Sequence, residues 1–196
     1  MPRIAPREFE RLPLRVHDFL AGVPLHDAWA VDLPRTRSGI TLAEFLRAAG
    51  GRPFTPSTVV RALLSIRFFV GSLFGWDGEP DRTIAETFAS RLTPADLSET
   101  LTPPGTRQRL FRTVYRFPNE ELLEVRNRTA HAAALSALVD AGDVYRLYFA
   151  VYVRSVGRLT RLYMALIDPF RRLIVYPSLL RSVRTTWSEV FRLAGS

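Results

Sequence analysis

The sequence predicts an α+β fold in which an antiparallel β-sheet wraps around a long C-terminal α-helix, with two shorter helices after the first strands. Apolar residues recur every second position over much of residues 111–167, which is typical of half-buried strands. They recur every three to four positions in residues 41–74 and again from residue 168, which is typical of helices. A sheet with one apolar face must bury it, and the terminal helix is available as the cover.

Length and composition favour one domain. The chain has 196 residues, of which 47% are hydrophobic and 23% charged, values that are ordinary for globular proteins. Three prolines in the first 14 residues predict an extended N-terminal arm. We therefore expect an arm over residues 1–14 and a single domain over residues 15–196.

The first elements are predicted from local signals. Alternation at Trp29, Val31 and Leu33 indicates one or two short strands at a sheet edge. A Thr41–Glu44 capping box and a glycine pair after Ala49 bound a short helix. A second helix is predicted to begin at Thr55-Pro56 and to run to about Phe74. Residues 77–106 give only weak helix signals.

The following segment is predicted to be an antiparallel meander. Alternation sets Phe111, Thr113, Tyr115 and Phe117 on one face, and it continues in a second run with Leu123, Val125, Asn127, Thr129 and His131. The charged neighbours of these residues, including Glu124, are expected on an outer face. A third run, from Tyr145 to Val153, and a fourth, over residues 159–167, complete the meander.

Helical spacing returns at Asp168-Pro169, where Asp168 can act as the cap. Pro177 is the expected kink of this terminal helix. Its apolar stripe has a spacing of three and four residues and consists of Leu173, Tyr176, Leu180, Val183, Trp187 and Val190.

The net charge of +8 belongs to the second half of the chain, with 12 arginines against 12 acidic residues in positions 1–100 and 15 against 7 afterwards. Such an imbalance indicates an anionic partner or simply a solvated face. The chain has no lysine and no cysteine, which excludes Schiff-base chemistry, a P-loop lysine and thiolate sites. No signal peptide is visible, and arginines interrupt the most apolar stretch, so a cytoplasmic protein is expected.

Several tail residues and part of the second predicted helix carry a resemblance to a known family. They are Gly157, Arg158, Tyr163, Pro169, Phe170, Ile174 and Val175, with Arg67 before Phe74-Gly75. In these the chain resembles the bacterial domain of unknown function 2867 family, which also occurs behind a dinucleotide-binding half in epimerase-like proteins. This chain has no G-x-G-x-x-G motif for such a half.

The order of elements over about residues 15–193 resembles the helix-grip (SRPBCC) superfamily of START-like, pollen-allergen-like and polyketide-cyclase-like proteins. That resemblance implies an apolar cavity between the sheet and the terminal helix, which holds a lipid or another hydrophobic molecule. It implies no catalytic residue and no cofactor.

Four polar residues are the candidate ligand contacts: Tyr115, Asn127, Thr129 and His131. On the predicted inner face, Asn127, Thr129 and His131 interrupt an apolar row, and Tyr115 lies on the neighbouring strand. A few convergent polar groups in an apolar cavity are typical of a small-molecule site. The alternative is that the row has reached the end of the strand, where polar side chains meet water.

The other histidines also lie beside acids, as His17-Asp18 and His26-Asp27. Adjacent residues in a strand point to opposite faces, so neither pair forms a dyad by spacing alone. Without a metal-ligand spacing, no metal site and no cofactor are predicted. No G-x-S-x-G motif indicates a serine hydrolase.

Three functions are compatible with these patterns. The first is binding of a hydrophobic small molecule or lipid between the sheet and the C-terminal helix. The second is a cyclase-like or dehydratase-like enzyme that uses His131 as general acid or base. The third is weak contact of the arginine-rich half with anionic membranes. Scattered basic residues without a known motif argue against nucleic-acid binding.

Overall fold

A computed structural model describes residues 3–50, 86–108, 111–126, 131–154 and 168–192 of the chain. The second predicted helix, from Thr55, and the fourth predicted strand, over residues 159–167, lie outside these residues. Two candidate ligand contacts, Asn127 and Thr129, also lie outside them.

Six antiparallel strands form one sheet, in the order β1-β6-β5-β4-β3-β2. Their bounds are β1 Leu25–Pro34, β2 Arg107–Gln108, β3 Phe111–Arg116, β4 Glu120–Arg126, β5 His131–Asp140 and β6 Val144–Arg154. The helices are α1 Pro6–Glu10, α2 Val16–Phe19, α3 Leu42–Ala49, α4 Pro94–Glu99 and α5 Tyr176–Arg192, with a 3-10 helix at Phe88–Arg91. The predicted α+β class, with a sheet packed against a C-terminal helix, is confirmed.

One face of the sheet packs against α3 and α5, and we call it the C-terminal face. The alternation predicted for β6 is confirmed, because Tyr145, Leu147 and Val151 are buried on this face. The helix side of the contact is formed by buried residues from α3 and α5: Leu42, Phe45, Ala49, Tyr176, Leu180, Val183, Trp187 and Phe191.

The predicted capping signals position α3. The Thr41 hydroxyl accepts a hydrogen bond from the backbone N–H of Glu44, and Gly50 ends the helix in the left-handed conformation. The Glu44 carboxylate bonds to Arg37, so only half of the capping box forms.

The C-terminal helix has its irregularity before the predicted kink. A π-helical turn covers Arg171–Val175, immediately before Pro177. Proline lacks an N–H and its ring crowds the carbonyl four residues earlier, which favours a widened turn there. The extra residue in this turn changes the direction of the side chains within it. Leu173, which the sequence predicted in the buried stripe, is 77% exposed.

The opposite side of the sheet, the N-terminal face, is covered by residues 4–23 and by the 3-10 helix. The segment predicted to be an extended arm contains α1, and Phe9 within it is fully buried. Proline suits the first turn of a helix, and Phe9 gives the short helix an apolar side chain to bury. Both faces of the sheet are therefore covered, whereas the sequence predicted a charged outer face.

The predicted register of β3 and β4 is wrong at two points. A β-bulge between Thr113 and Tyr115 interrupts the alternation, because it inserts an extra residue into β3. Arg126 pairs with His131, so the chain reverses between these two residues. His131 therefore lies on the N-terminal face with Glu124, and not on the face of Leu123 as the sequence predicted. Glu124, predicted on an outer face, is buried.

Among the helices that the structure describes, none is long and apolar enough to cross a membrane. The cytoplasmic location stays a prediction.

Candidate functional site

Tyr115 belongs to the packed core of the N-terminal face. Its ring is fully buried, lies edge-on to Phe19 and stacks on Phe117. Its hydroxyl donates a hydrogen bond to Glu120, which also accepts from the backbone N–H groups of Arg15 and Val16. Burial raises the pKa of Glu120 and, together with the Glu120 charge, raises that of Tyr115 well above its usual value. Tyr115 thus helps to hold the glutamate that anchors α2.

His131 is also packed on the N-terminal face, where it is 1% exposed. Its ring stacks on Phe88 at 3.9 Å between centroids, and its Nε2 lies 3.3 Å from Glu124 Oε2. Glu124 also accepts from the Thr87 hydroxyl and the Phe88 backbone N–H. Burial opposes ionisation of Glu124, but the hydrogen bonds from His131, Thr87 and Phe88 outweigh it and lower its pKa. The structure places neither Tyr115 nor His131 beside the C-terminal helix.

A groove of about 790 Å³ lies at the edge of the N-terminal covering. It is open to solvent, and charged groups of both signs line it, two of which, Arg15 and Asp96, pair with each other. Its walls come from two segments: Glu10, Leu12, Pro13, Leu14, Arg15, His17, Asp18 and Phe19, then Arg91, Thr93 and Asp96. Its mixed polar lining is unlike the mostly apolar lining of a small-molecule pocket.

A second group of polar residues lies where the start of β1 meets the start of the C-terminal helix. We call it the Asp27 cluster, and it consists of Arg3, His26, Asp27, Asp168, Arg171 and Arg172. Asp168 is its hydrogen-bonded centre. Its carboxylate oxygens lie 2.8 and 3.1 Å from His26 Nε2, and each accepts a bond of 3.2 Å, one from Arg171 and one from Arg172. Since a carboxylate only accepts, His26 Nε2 carries the proton in these contacts.

Asp27 is the buried member of the cluster, with a side chain 0% exposed. Its oxygens lie 3.3 Å from Arg3 Nη2, 3.5 Å from His26 Nε2, 3.6 Å from Arg172 Nε and 3.9 Å from Arg171 Nη2. Neither oxygen has a hydrogen-bond partner among the residues described. Buried carboxylates are almost always hydrogen-bonded, so this one has acceptor capacity that the described fold leaves unused.

Two backbone irregularities lie at the cluster. The pairing of β1 with β6 shifts register between Leu25 and Asp27, and the π-helical turn carries Arg171 and Arg172. Bulges and π-helical turns are common beside functional sites, where they redirect side chains. Here the bulge lies at His26 and Asp27, and the widened turn holds the two arginines that face them.

An aromatic group, Trp29, Phe149 and Tyr176, adjoins the cluster on the C-terminal face. We call it the aromatic wall. Ring centroids of Trp29 and Phe149 lie 5.3 and 5.7 Å from that of Tyr176, whose hydroxyl accepts a hydrogen bond from Arg171. Burial raises the pKa of Tyr176 to about 12, although Arg171 opposes that rise. Arg171 thus links the aromatic wall to the Asp27 cluster.

The indole of Trp29 has a buried N–H with no hydrogen-bond partner in the described ranges. Trp187, on the same face, donates its indole N–H to the Pro34 carbonyl at 2.9 Å. Trp29 and Asp27 are two residues apart on β1, so their side chains share one face. An unused donor and an unused acceptor therefore lie on the same face of β1, which is the face that packs against the C-terminal helix.

The ligand atoms of His26, Asp27 and Asp168 lie within 4.8 Å of one another, which is close enough to hold a metal ion. Three guanidinium groups contact the same carboxylates. These three positive charges outnumber the two negative ones, and the excess opposes binding of a divalent cation. The charge of the cluster therefore favours a neutral or anionic ligand.

Sequence reasoning missed this site because its parts are distant in the chain. His26 and Asp168 are 142 positions apart. From the sequence, His26 was interpreted only as the neighbour of an acidic residue, and Asp168 only as a helix cap. Two sequence signals could have pointed to the site. They are the acidic residue beside a histidine in an edge strand and the pair of arginines after Asp168-Pro169.

Comparisons with known proteins place the chain in a family. No curated protein and no solved structure matches it. One family model, described as "Protein of unknown function (DUF2867)", matches residues 19–178, well over half of the chain. This range contains the aromatic wall and every member of the Asp27 cluster except Arg3. The protein therefore belongs to the DUF2867 family.

Proposed function

We propose that this protein binds an apolar small molecule bearing a polar group, between the sheet and the beginning of the C-terminal helix. The observation that carries the proposal is the pair of buried, unpartnered polar groups on β1, the Asp27 carboxylate and the Trp29 indole N–H. Each costs free energy unless something completes its hydrogen bonding. A bound molecule that accepts from the Trp29 indole N–H, or one that donates to the Asp27 carboxylate, gains affinity and a fixed orientation.

The aromatic wall supplies the apolar part of the proposed site. Trp29 and Phe149 pack against Tyr176 beside the Asp27 cluster, and Trp29 and Tyr176 are buried. Small-molecule sites combine mostly apolar walls with a few polar groups that orient the ligand, and this end of the C-terminal face has both. At the other end, Phe45, Tyr145 and Phe191 pack around Trp187 and fill the space between sheet and helix.

The polar contacts in this proposal differ from those expected from the sequence. Tyr115 and His131 are held on the N-terminal face by Glu120 and Glu124. The enzyme that would use His131 as acid or base stays a prediction, and the His131 ring stacks on Phe88. Asp27 and Trp29 take the place of those contacts.

A relationship to START-like and polyketide-cyclase-like proteins is a further part of the proposal. The strand order and the packing of the sheet on a C-terminal helix support it. Members of that superfamily hold hydrophobic molecules between the same two elements. Weak contact with anionic membranes also stays a prediction, for which Phe170 and Leu173 offer exposed apolar side chains beside Arg171 and Arg172.

Native mass spectrometry of the purified protein, with organic extraction of whatever co-purifies, tests the proposal. We expect the wild type to carry a bound molecule, or to bind Nile red saturably. In Trp29→Phe the bound molecule should be lost, or the affinity for Nile red should be several-fold lower. Trp187→Phe is the matched control, because that indole bonds within the fold, and it should retain the ligand. A wild-type protein that carries no molecule and shows no saturable Nile red binding would contradict the proposal.

A further inference from the structure

We infer that the polar group of the ligand is an acidic head group, a carboxylate or a phosphate, bound on the outer side of the Asp27 cluster. The inference rests on the proposed function, because it names the chemical class of the molecule bound at that site. It concerns an amphiphile whose apolar part contacts the aromatic wall and whose head group meets the arginines.

The most buried charge of the cluster is the Asp27 carboxylate, and its most exposed charges are two arginines. The Asp27 side chain is 0% exposed, whereas those of Arg172 and Arg3 are 37% and 50% exposed. Asp168 and Arg171 lie between these extremes, at 18% and 15%. A group that arrives from solvent therefore meets the guanidinium groups of Arg3 and Arg172 before it meets the Asp27 carboxylate.

The cluster also carries more positive than negative charge. Three guanidinium groups face two carboxylates, which leaves a net charge of +1 with His26 neutral and +2 with His26 protonated. Partial burial keeps this charge from full screening by salt. An anionic head group offsets this excess of positive charge, whereas an ammonium group adds to it.

Asp27 and Asp168 fix the positions of the arginines. Asp168 binds both Arg171 and Arg172, and Asp27 lies within 4 Å of those two and of Arg3. A guanidinium carries five N–H donors, so one that contacts a carboxylate on one edge can still donate on another. Holding the arginines before binding lowers the entropy that an anion must overcome.

The head-group position and the aromatic wall adjoin. Trp29 follows Asp27 by two residues on the same face of β1, and Arg171 bonds to the Tyr176 hydroxyl within the wall. Arg3 forms a β-bridge with Trp29 at the edge of the sheet, so this most exposed arginine of the cluster lies beside the same strand. One amphiphile can thus contact both groups.

Calorimetric titration with ligands that share a twelve-carbon chain tests the inference. Each ligand is kept below the concentration at which it forms micelles or separates from water. The ligands are dodecanoate, dodecyl phosphate, dodecanol and dodecylammonium, with acetate and inorganic phosphate as head groups without a tail. We expect one or both anionic amphiphiles to bind at least about tenfold more tightly than dodecanol, the effect of one charge-assisted hydrogen bond. Added salt should weaken binding of the anions only. Acetate and phosphate should bind far more weakly than the corresponding amphiphiles.

Variants locate the effect in the cluster. Arg172→Gln should reduce the affinity for the anionic amphiphiles by about tenfold and leave the affinity for dodecanol unchanged. Arg3→Gln changes a half-exposed side chain, so it should fold even if Arg172→Gln does not, and it should shift affinity in the same direction. Arg181→Gln, at an exposed position further along the same helix, is the control and should have no effect.

Three results would overturn the inference. Dodecanol or dodecylammonium binding as tightly as the anions would do so while leaving the proposed function intact. Stoichiometric binding of Zn²⁺ alone that is lost in Asp168→Asn would identify a metal site instead. If none of the amphiphiles binds, the inference fails, and the proposed function fails with it only if the wild type also shows no co-purifying molecule and no saturable Nile red binding.

Discussion

Buried carboxylates on the two faces of the sheet have opposite surroundings. On the N-terminal face, Glu120 accepts the first backbone N–H groups of α2, and Glu124 accepts an N–H from the 3-10 helix. On the C-terminal face, Asp27 has cationic neighbours within 4 Å but no hydrogen bond in the part of the chain described. The first two carboxylates anchor helices, whereas the third accepts no hydrogen bond from the described residues.

The two tryptophans that pack on the C-terminal face repeat the contrast. Trp187 uses its indole N–H to bind the Pro34 carbonyl, whereas Trp29 buries the same group without a partner among the described residues. Folding alone selects for satisfied buried groups. On the N-terminal face the buried carboxylates are satisfied within the fold, and the unpartnered groups at the β1 end of the C-terminal face are those on which the proposed binding site rests.

The largest expected difference is in the free energy of unfolding after removal of a carboxylate. Glu124→Ala leaves Thr87, Phe88 and His131 without their acceptor, and we expect a loss of about 3 kcal/mol. Asp27→Ala should cost less than about 1 kcal/mol, because Asp27 accepts no hydrogen bond from the described residues and because His26, Arg171 and Arg172 keep Asp168 as a partner. Urea denaturation of both variants measures the difference, and equal losses would contradict the comparison.

A smaller effect, of opposite sign for the two glutamates, is expected in the pH dependence of stability. The raised pKa of Glu120 means that its contribution is present below its usual value of 4.5 and is lost as the pH rises through the folded-state pKa. The lowered pKa of Glu124 means that its contribution is present above 4.5 and is lost as the pH falls.

The stability of each variant relative to wild type should therefore change in opposite directions, mainly above pH 4.5 for Glu120→Gln and mainly below pH 4.5 for Glu124→Gln. The free energy of unfolding of Glu120→Gln should rise relative to wild type as the pH increases, and that of Glu124→Gln should fall. Urea denaturation at a series of pH values measures both. Parallel slopes would show that the two glutamates have the same role.

The tryptophan pair should differ by a smaller amount. Trp187→Phe loses packing and the hydrogen bond to Pro34, and we expect it to cost about 2 kcal/mol. Trp29→Phe removes a buried donor without a described partner, so its cost should be lower by about 1 kcal/mol. Thermal and urea unfolding of ligand-free protein compare them. A larger loss for Trp29→Phe would show that its N–H has a partner within the fold.

The smallest effect is expected outside both cores, at the cross-strand pair of Asp32 and Arg146. Arg146 donates to Asp32 at 2.5 Å, and this bond lowers the pKa of Asp32. Because the pair is exposed, Arg146→Gln should cost less than about 1 kcal/mol, and 1 M salt should remove the difference. A cost that persists in salt would show that this surface is more deeply packed than its exposure indicates.

Local signals predicted those elements whose causes lie within a few residues. The Thr41 cap and Gly50 bound α3, and simple alternation places Leu147 and Val151 of β6 on the C-terminal face. The same reasoning was wrong at β3, because a bulge there changes the face of Tyr115. It also misplaced Glu124, since nothing near it in sequence shows that a helix end will cover it.

The sequence by itself determined the fold class, an α+β arrangement of sheet and terminal helix, because periods of two and of three to four are properties of neighbouring residues. It also excluded lysine and thiolate chemistry. Only the tertiary structure decided which buried polar groups are satisfied. His26 and Asp168 meet across 142 positions, and Glu120 meets the N–H of Val16 across 104. Such pairings depend on how the sheet is covered, which local patterns do not encode.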